Sequence, residues 1–178
     1  VCLTLASIYN WMASIADVPT AFLQADADRF QRTVFLRPPK KGSAQFPASM
    51  KIKSNQIWKL KKAIYGLNDA PRLWYDTLVE TLSSKGFQRA KADPCVFFKR
   101  HDDKLAGLAI IHVDDVVFAG TEAFRKELKG LLETFKVDTY KEISEEPQDY
   151  VGLQVWREKK SGEYCVGQPK YADQLEFI

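Results

Sequence analysis

The sequence is poor in the side chains that many metal and covalent chemistries require. Its 178 residues include two histidines and three cysteines. Cys2, Cys95 and Cys165 are odd in number, widely spaced and form no CxxC pair. A disulfide framework is therefore not expected, and reduced thiols of an intracellular protein are the reading. A zinc site would have only His101 and His112 to draw on, and His101 reads as a turn residue. No HExxH motif, glycine-rich phosphate loop or Ser-His-Asp arrangement is apparent, which argues against a hydrolase. No run of eighteen apolar residues occurs, so no membrane-spanning segment and no membrane partner is expected. The first residues lack an initiator Met and a basic leader, and read as the middle of something longer. The last ones, Asp173 to Ile178, stop in an apparent helix.

Acidic residues are missing from Arg29 to Lys62, a stretch with ten Lys or Arg. The rest of the chain then carries 16 basic and 23 acidic residues, a net of −7 against +3 for the whole. A basic third on an acidic body reads either as a polyanion-facing surface or as a solvated loop. On the first reading Arg37, Lys40, Lys41, Lys59, Lys61 and Lys62 are nucleic-acid contacts. Phe30, Phe35, Phe46 and Trp58 are interleaved with them and either stack on bases or fill a core.

What is present most distinctively is Asp114-Asp115, set inside the apolar run from Gly107 to Gly120. Two carboxylates between two aliphatic runs read as a hairpin with charge at its tip. Like charges that close repel, so one resists ionising unless a cation sits between them. A hard divalent cation, Mg²⁺ or Mn²⁺, is the natural partner, and phosphoryl transfer its natural chemistry. An ordinary acidic turn is the competing reading.

The remaining pattern is mixed. Residues 1 to 14 read as a buried helix, and Ser14 to Val18 as a short strand that Pro19 ends. Thr20 suits the cap of a short helix through Leu23. Thr33 to Arg37 and Ile57 to Leu60 are strand candidates, with a polar loop from Lys40 to Gln56. A helix opens at Ala70-Pro71, with Leu73, Trp74, Leu78, Val79 and Leu82 on one stripe and Gly86 beyond its end. Val96 to Lys99, Leu108 to Val113 and Val116 to Ala119 are strands. Glu122 to Phe135 is a second amphipathic helix. Lys136 to Asp149 reads as an acidic loop, Tyr150 to Arg157 with Glu163 to Val166 as a hairpin, and Pro169 to Phe177 as a last helix. The fold class is α+β: an antiparallel sheet with helices packed on one face. Asp17, at a predicted strand end, could meet the Asp114-Asp115 turn across that sheet, and three such carboxylates suit two metal ions.

In these residues and their order the chain resembles the reverse transcriptases of copia-type long-terminal-repeat retrotransposons. The motifs that carry the resemblance are Asp-Val-Pro-Thr-Ala-Phe-Leu-Gln (17–24), Leu-Lys-Lys-Ala-Ile-Tyr-Gly-Leu-Asn-Asp-Ala-Pro-Arg-Leu-Trp-Tyr (60–75), Ala-Asp-Pro-Cys-Val-Phe (92–97), His-Val-Asp-Asp (112–115) and Tyr-Val-Gly-Leu-Gln-Val (150–155). They stand in the family's order, and 60–75 is the most specific. The resemblance implies a polymerase palm with part of the fingers, the basic finger-like segment falling at about 29–62, and RNA- or DNA-templated DNA synthesis from deoxynucleoside triphosphates. It implies two Mg²⁺ (or Mn²⁺) ions on Asp17 and Asp114, with Asp115 completing the cluster and the Val18 carbonyl as a further ligand. One ion would serve the primer 3′-hydroxyl and the other the triphosphate. It places Phe22 against the ribose 2′-position, and Tyr65 and Gly66 near the incoming nucleotide. It also places His112, Val113, Val151 and Gly152 at the primer end. On residue pattern alone Phe22 reads as core.

The implied partners are template-primer, deoxynucleoside triphosphates and the rest of a polyprotein with integrase and ribonuclease H. The implied location is the cytoplasm, within a virus-like particle, and the nucleus. The chain departs from the family at His112, where Tyr is usual, at Asn68-Asp69 for Lys-Gln, and at Pro19. Upstream fingers, a thumb and ribonuclease H are absent from the sequence, so weak or no polymerisation is expected from this stretch alone. The alternatives are a catalytically inactive nucleic-acid-binding remnant and a repurposed interaction module.

Overall fold

The computed structural model describes residues 1–38 and 55–175. Lys40, Lys41 and most of the Lys40 to Gln56 loop lie outside the described residues. The chain divides into two compact units, Val1–Ala21 with Leu78–Ile178, and Phe22–Thr77.

The first unit is built on hairpins. Helix α1 (Cys2–Ile8) leads to strand β1 (Met12–Asp17). The expected helix over 1–14 is therefore cut short. Asn10 takes a left-handed φ of 51°, a conformation Asn tolerates better than most residues, and the chain reverses there. Ile8 and Tyr9 are exposed, so the apolar residues of this stretch do not share one buried surface.

In the second unit a one-turn 3₁₀ helix, Ala21–Gln24, follows the boundary. Strands β2 (Phe35–Leu36) and β3 (Trp58–Lys59) pair antiparallel, at the centres of the two predicted strands. Helix α2 (Ala70–Ser84) begins in this unit, with Trp74, Leu78 and Leu82 of the predicted stripe buried. Asp69, one of the family departures, accepts a hydrogen bond from Arg32 Nη2 at 2.7 Å, which neutralises its charge locally.

Strands β4 (Gln88–Arg89), β5 (Val96–His101), β6 (Lys104–His112) and β7 (Asp115–Gly120) follow in order. Helix α3 (Glu122–Leu132) comes next, its N-terminus capped by Thr121 Oγ1, which accepts from the Phe124 N–H. A 3₁₀ turn, Glu133–Phe135, completes the predicted segment. The predicted acidic loop contains two short strands, β8 (Tyr140–Glu142) and β9 (Gln148–Tyr150). Their three-residue length and charged sequence hide them from any periodicity. β10 (Leu153–Arg157), β11 (Tyr164–Gly167) and a one-turn helix α4 (Pro169–Ala172) end the described chain.

The main sheet has the order β4-β5-β6-β7-β1-β8, and all five pairings in it are antiparallel. Its two faces are both covered. Alternation along β7 puts Val117 and Ala119 on one face, where they join Cys2 and Ala6 of α1, Ile143 and Val155 in one cluster. Phe118 and Gly120 point to the other face, under α3. The expectation of helices on one face is thereby corrected: α1 and the β9–β11 sheet lie opposite α3. Four consecutive buried residues in β1, Ala13 to Ala16, are the signature of a strand covered on both sides.

Glycines set the closeness of α3. A Cβ on Gly107 would stand 2.4 Å from Phe124 Cδ1 and 2.7 Å from the Ala119 carbonyl oxygen. One on Gly120 would stand 2.6 Å from the same ring carbon. Those two positions are register partners across β6 and β7. The Phe124 ring occupies the space that two side chains would need. The β9–β11 sheet is fixed to β1 by Tyr164, whose hydroxyl accepts from the Ala13 N–H at 2.9 Å and donates to the Trp11 carbonyl.

Candidate active site

Antiparallel pairing brings two of the three aspartates face to face. Asp17 ends β1 and Asp115 begins β7, and they are direct register partners. Asp114 precedes Asp115 at the tip of the β6–β7 hairpin. The Val18 N–H donates to the Asp114 carbonyl oxygen at 2.8 Å, tying the tip to the end of β1. Val18 is buried, so this bond is shielded from water. His112 ends β6, exposed, and pairs in register with Asp115.

The electrostatics follow from this crowding. Burial pushes the Asp115 carboxyl above its usual range, and the neighbouring charges of Asp114 and Asp17 push it the same way. His112 works against them. Tyr150, which opens the 150–155 motif without a predicted role in the site, stands close enough to feel Asp115. Its phenol is raised to about 12 by burial, then by the charges of Asp115 and Cys2. Among the described residues no group of three or more His, Cys, Asp or Glu side chains is arranged to hold a metal ion. The backbone gathers the three aspartates, while their side chains do not converge on one point. The donor chemistry is nonetheless that of a hard divalent cation: carboxylate oxygens that repel one another and gain from a positive charge.

The tip itself is strained. Val113 has φ 58° and is 42% exposed. A β-branched residue in that region is a true outlier, and such outliers gather at functional sites. The β9–β10 hairpin repeats the device. Its two turn residues are Val151, with φ 49° and 42% exposure, and Gly152, with φ 74°. Tyr150 and Leu153 pair across the turn. The predicted primer-end residues thus lie at two hairpin tips of the same unit.

The predicted nucleotide-binding residues lie in the second unit or at its start. Phe22 and Tyr65 are in ring contact, centroids 4.7 Å apart and planes tilted 42°. Gly66 has φ 90° and open space around it. Arg37, Lys59, Lys61 and Lys62 are all exposed, and Phe35, exposed beside Lys59 in register, is not core. No helix among the described residues is long and apolar enough to cross a membrane. The three cysteines are free, Cys2 buried and its thiol raised to about 12 mainly by that burial.

Comparison with known proteins supplies the family. Residues 1–175 match the reverse transcriptase (RNA-dependent DNA polymerase) family. The chain is 28% identical over 177 residues to the Retrovirus-related Pol polyprotein from transposon TNT 1-94 of Nicotiana tabacum, covering 97% of this chain and 12% of that protein. It is 28% identical over 137 residues to the corresponding polyprotein from transposon RE1 of Arabidopsis thaliana, covering 75% and 9%. It is 30% identical over 103 residues to the putative transposon Ty5-1 protein of Saccharomyces cerevisiae, covering 58% and 30%. No solved structure matches. These plant relatives are consistent with the copia-type motif order read from the sequence. The chain belongs to the reverse transcriptase family, as the reverse transcriptase domain of a retrotransposon Pol polyprotein.

Proposed function

We propose that this chain carries the catalytic palm of an RNA-directed DNA polymerase, joining deoxynucleotides to a primer by two-metal nucleotidyl transfer. The observation that carries the reading is the carboxylate group at one sheet end: Asp17 and Asp115 in register, Asp114 beside them, the tip tied down through Val18. On this reading the six-stranded sheet is the palm and the basic segment at about 29–62 is part of the fingers.

Asp17, Asp114 and Asp115 would hold two Mg²⁺ (or Mn²⁺) ions, with the Val18 carbonyl as a further ligand. When bound, these ions neutralise charge on the attacking oxygen and on the departing pyrophosphate. The chain's own residues position the reactants. Val113, Val151 and Gly152, at their tips, bear on the primer end, with His112 beside the acids. Phe22 closes the space a ribose 2′-hydroxyl would need, and Tyr65 and Gly66 border the nucleotide. Arg37, Lys59, Lys61 and Lys62, with Lys40 and Lys41, attract the phosphate backbone. The bond formed joins the primer 3′-oxygen to the α-phosphorus, and the bond broken frees pyrophosphate. No covalent enzyme intermediate is involved.

The partners are an RNA or DNA template-primer, deoxynucleoside triphosphates, and the integrase and ribonuclease H of the polyprotein. The setting is a cytoplasmic virus-like particle and the nucleus. One observation favours a second reading, a nucleic-acid-binding remnant: the three carboxylates do not converge as a metal-holding group. Primer extension on an RNA template, with the flanking polyprotein present, separates the two. Mg²⁺-dependent synthesis that Asp114→Asn abolishes supports the polymerase. Salt-sensitive binding without synthesis, in both the parent and His112→Tyr, overturns it.

A further inference from the structure

We propose that Tyr65 is a positioning residue for sugar selection, holding the Phe22 ring where that ring excludes a ribose 2′-hydroxyl. This rests on the role given to Phe22 above.

Exclusion by a side chain is only as strong as the resistance of that side chain to moving away. Phe22 stands on the 3₁₀ helix Ala21–Gln24, a single turn. It is only half-buried. A phenyl ring on so short a support can leave its rotamer well unless something opposes it. The opposing group is Tyr65, whose ring lies 4.7 Å from that of Phe22 at a 42° tilt. Tilted aromatic pairs at this distance attract beyond the area they bury.

The backbone shows how Tyr65 is delivered. The Leu67 N–H donates to the Ile64 carbonyl oxygen at 3.3 Å, closing a four-residue turn. Gly66, third in that turn, has φ 90°. This is the type II arrangement, which needs glycine at its third position. Tyr65 is therefore the second residue of a hydrogen-bonded turn. It remains 51% exposed, so its ring is not a core residue with another structural duty. The contact is ring on ring, so a phenylalanine would preserve it.

The test uses the full-length polyprotein reverse transcriptase and reads kcat/KM for a deoxynucleotide and its ribonucleotide on one primer-template. Phe22→Val is expected to lower the ratio of the two. Tyr65→Ala is expected to lower it about 2- to 10-fold, the strength of one aromatic pair, chiefly by raising ribonucleotide use. Tyr65→Phe keeps the parental ratio. Gly66→Ala, which disturbs the turn without removing the ring, lowers it in the same direction. Phe22→Val with Tyr65→Ala gives no larger drop than Phe22→Val alone. A loss of overall rate with an unchanged ratio in Tyr65→Ala, alongside a lowered ratio in Phe22→Val, overturns the role of Tyr65 and leaves that of Phe22 standing. Additive effects in the double variant also overturn it. An unchanged ratio in Phe22→Val refutes the reading of Phe22 and the inference with it.

Discussion

The β6–β7 and β9–β10 hairpins share a backbone device and differ in charge. Each turns through two residues, and each places a valine at positive φ with 42% exposure at its tip. At the first, the acids stand together: Asp115 faces Asp17 and follows Asp114, so its carboxyl is raised. At the second, Asp149 accepts from Lys170 Nζ at 2.7 Å, so its carboxyl is held below the usual range. Backbone strain alone therefore does not tell the two tips apart. The difference between them is charge: crowded acids at the first, an ion pair at the second.

The largest effect separates the hairpins by function. Asp114→Asn is expected to reduce Mg²⁺-dependent primer extension by about 100-fold or more, as removal of a main electrostatic group does. Asp149→Asn changes it by about threefold at most, because that carboxylate is engaged by an ammonium at the surface. Equal losses in the two variants would erase the distinction.

The next effect concerns what anchors the first hairpin. Gly107→Ala forces a methyl into the Phe124 ring and the Ala119 carbonyl, and should cost roughly 3 kcal/mol in urea denaturation. Gly152→Ala at the second tip meets no neighbour within 4 Å, and should cost only the conformational penalty of positive φ, about 1 kcal/mol. A smaller effect relieves strain. Val151→Asn suits the first position of a turn with two positive φ values and should raise stability by about 1 kcal/mol. An unchanged urea midpoint would show that Val151 is not strained.

The smallest effect is one of sign with pH. The raised Asp115 carboxyl binds its proton more tightly folded than unfolded. Its stability contribution is therefore present at low pH and falls as pH rises from the unfolded value through the folded one. Asp149 runs the other way: its contribution is present above the unfolded value and is lost as pH falls through the lowered one. Asp115→Asn should remove the first slope and Lys170→Met the second, in denaturation midpoints measured across the acidic range with a chelator. The same sign in both would mean that local charge does not set these carboxyls.

Much of this was legible in the sequence because the apolar pattern is strong where elements are long. The α2 and α3 stripes, the Asp-Asp hairpin tip and the strand end at Asp17 all follow from spacing. Strands β8 and β9 escaped because three residues carry no period, and charged ones look like loop. The helix predicted over 1–14 overran because apolar residues continue from α1 into β1, and a short apolar run looks alike in helix and strand. The second covered face of the sheet was hidden for the same reason. Of the candidate site, the residue types were readable but two partners were not. Tyr150 beside Asp115 and Arg32 beside Asp69 depend on folding that brings distant positions together. Lys40 and Lys41 lie outside the described residues.

The glycine pair under Phe124 has a consequence for the history of such elements. Every change in the first or second base of a glycine codon removes the glycine, and neither position 107 nor position 120 has room for a side chain. A copy drifting without selection would thus lose its folded sheet at these two codons as readily as it loses its acids. Genomic copies that keep both glycines and all three aspartates are the ones to clone first when searching for an element that still moves.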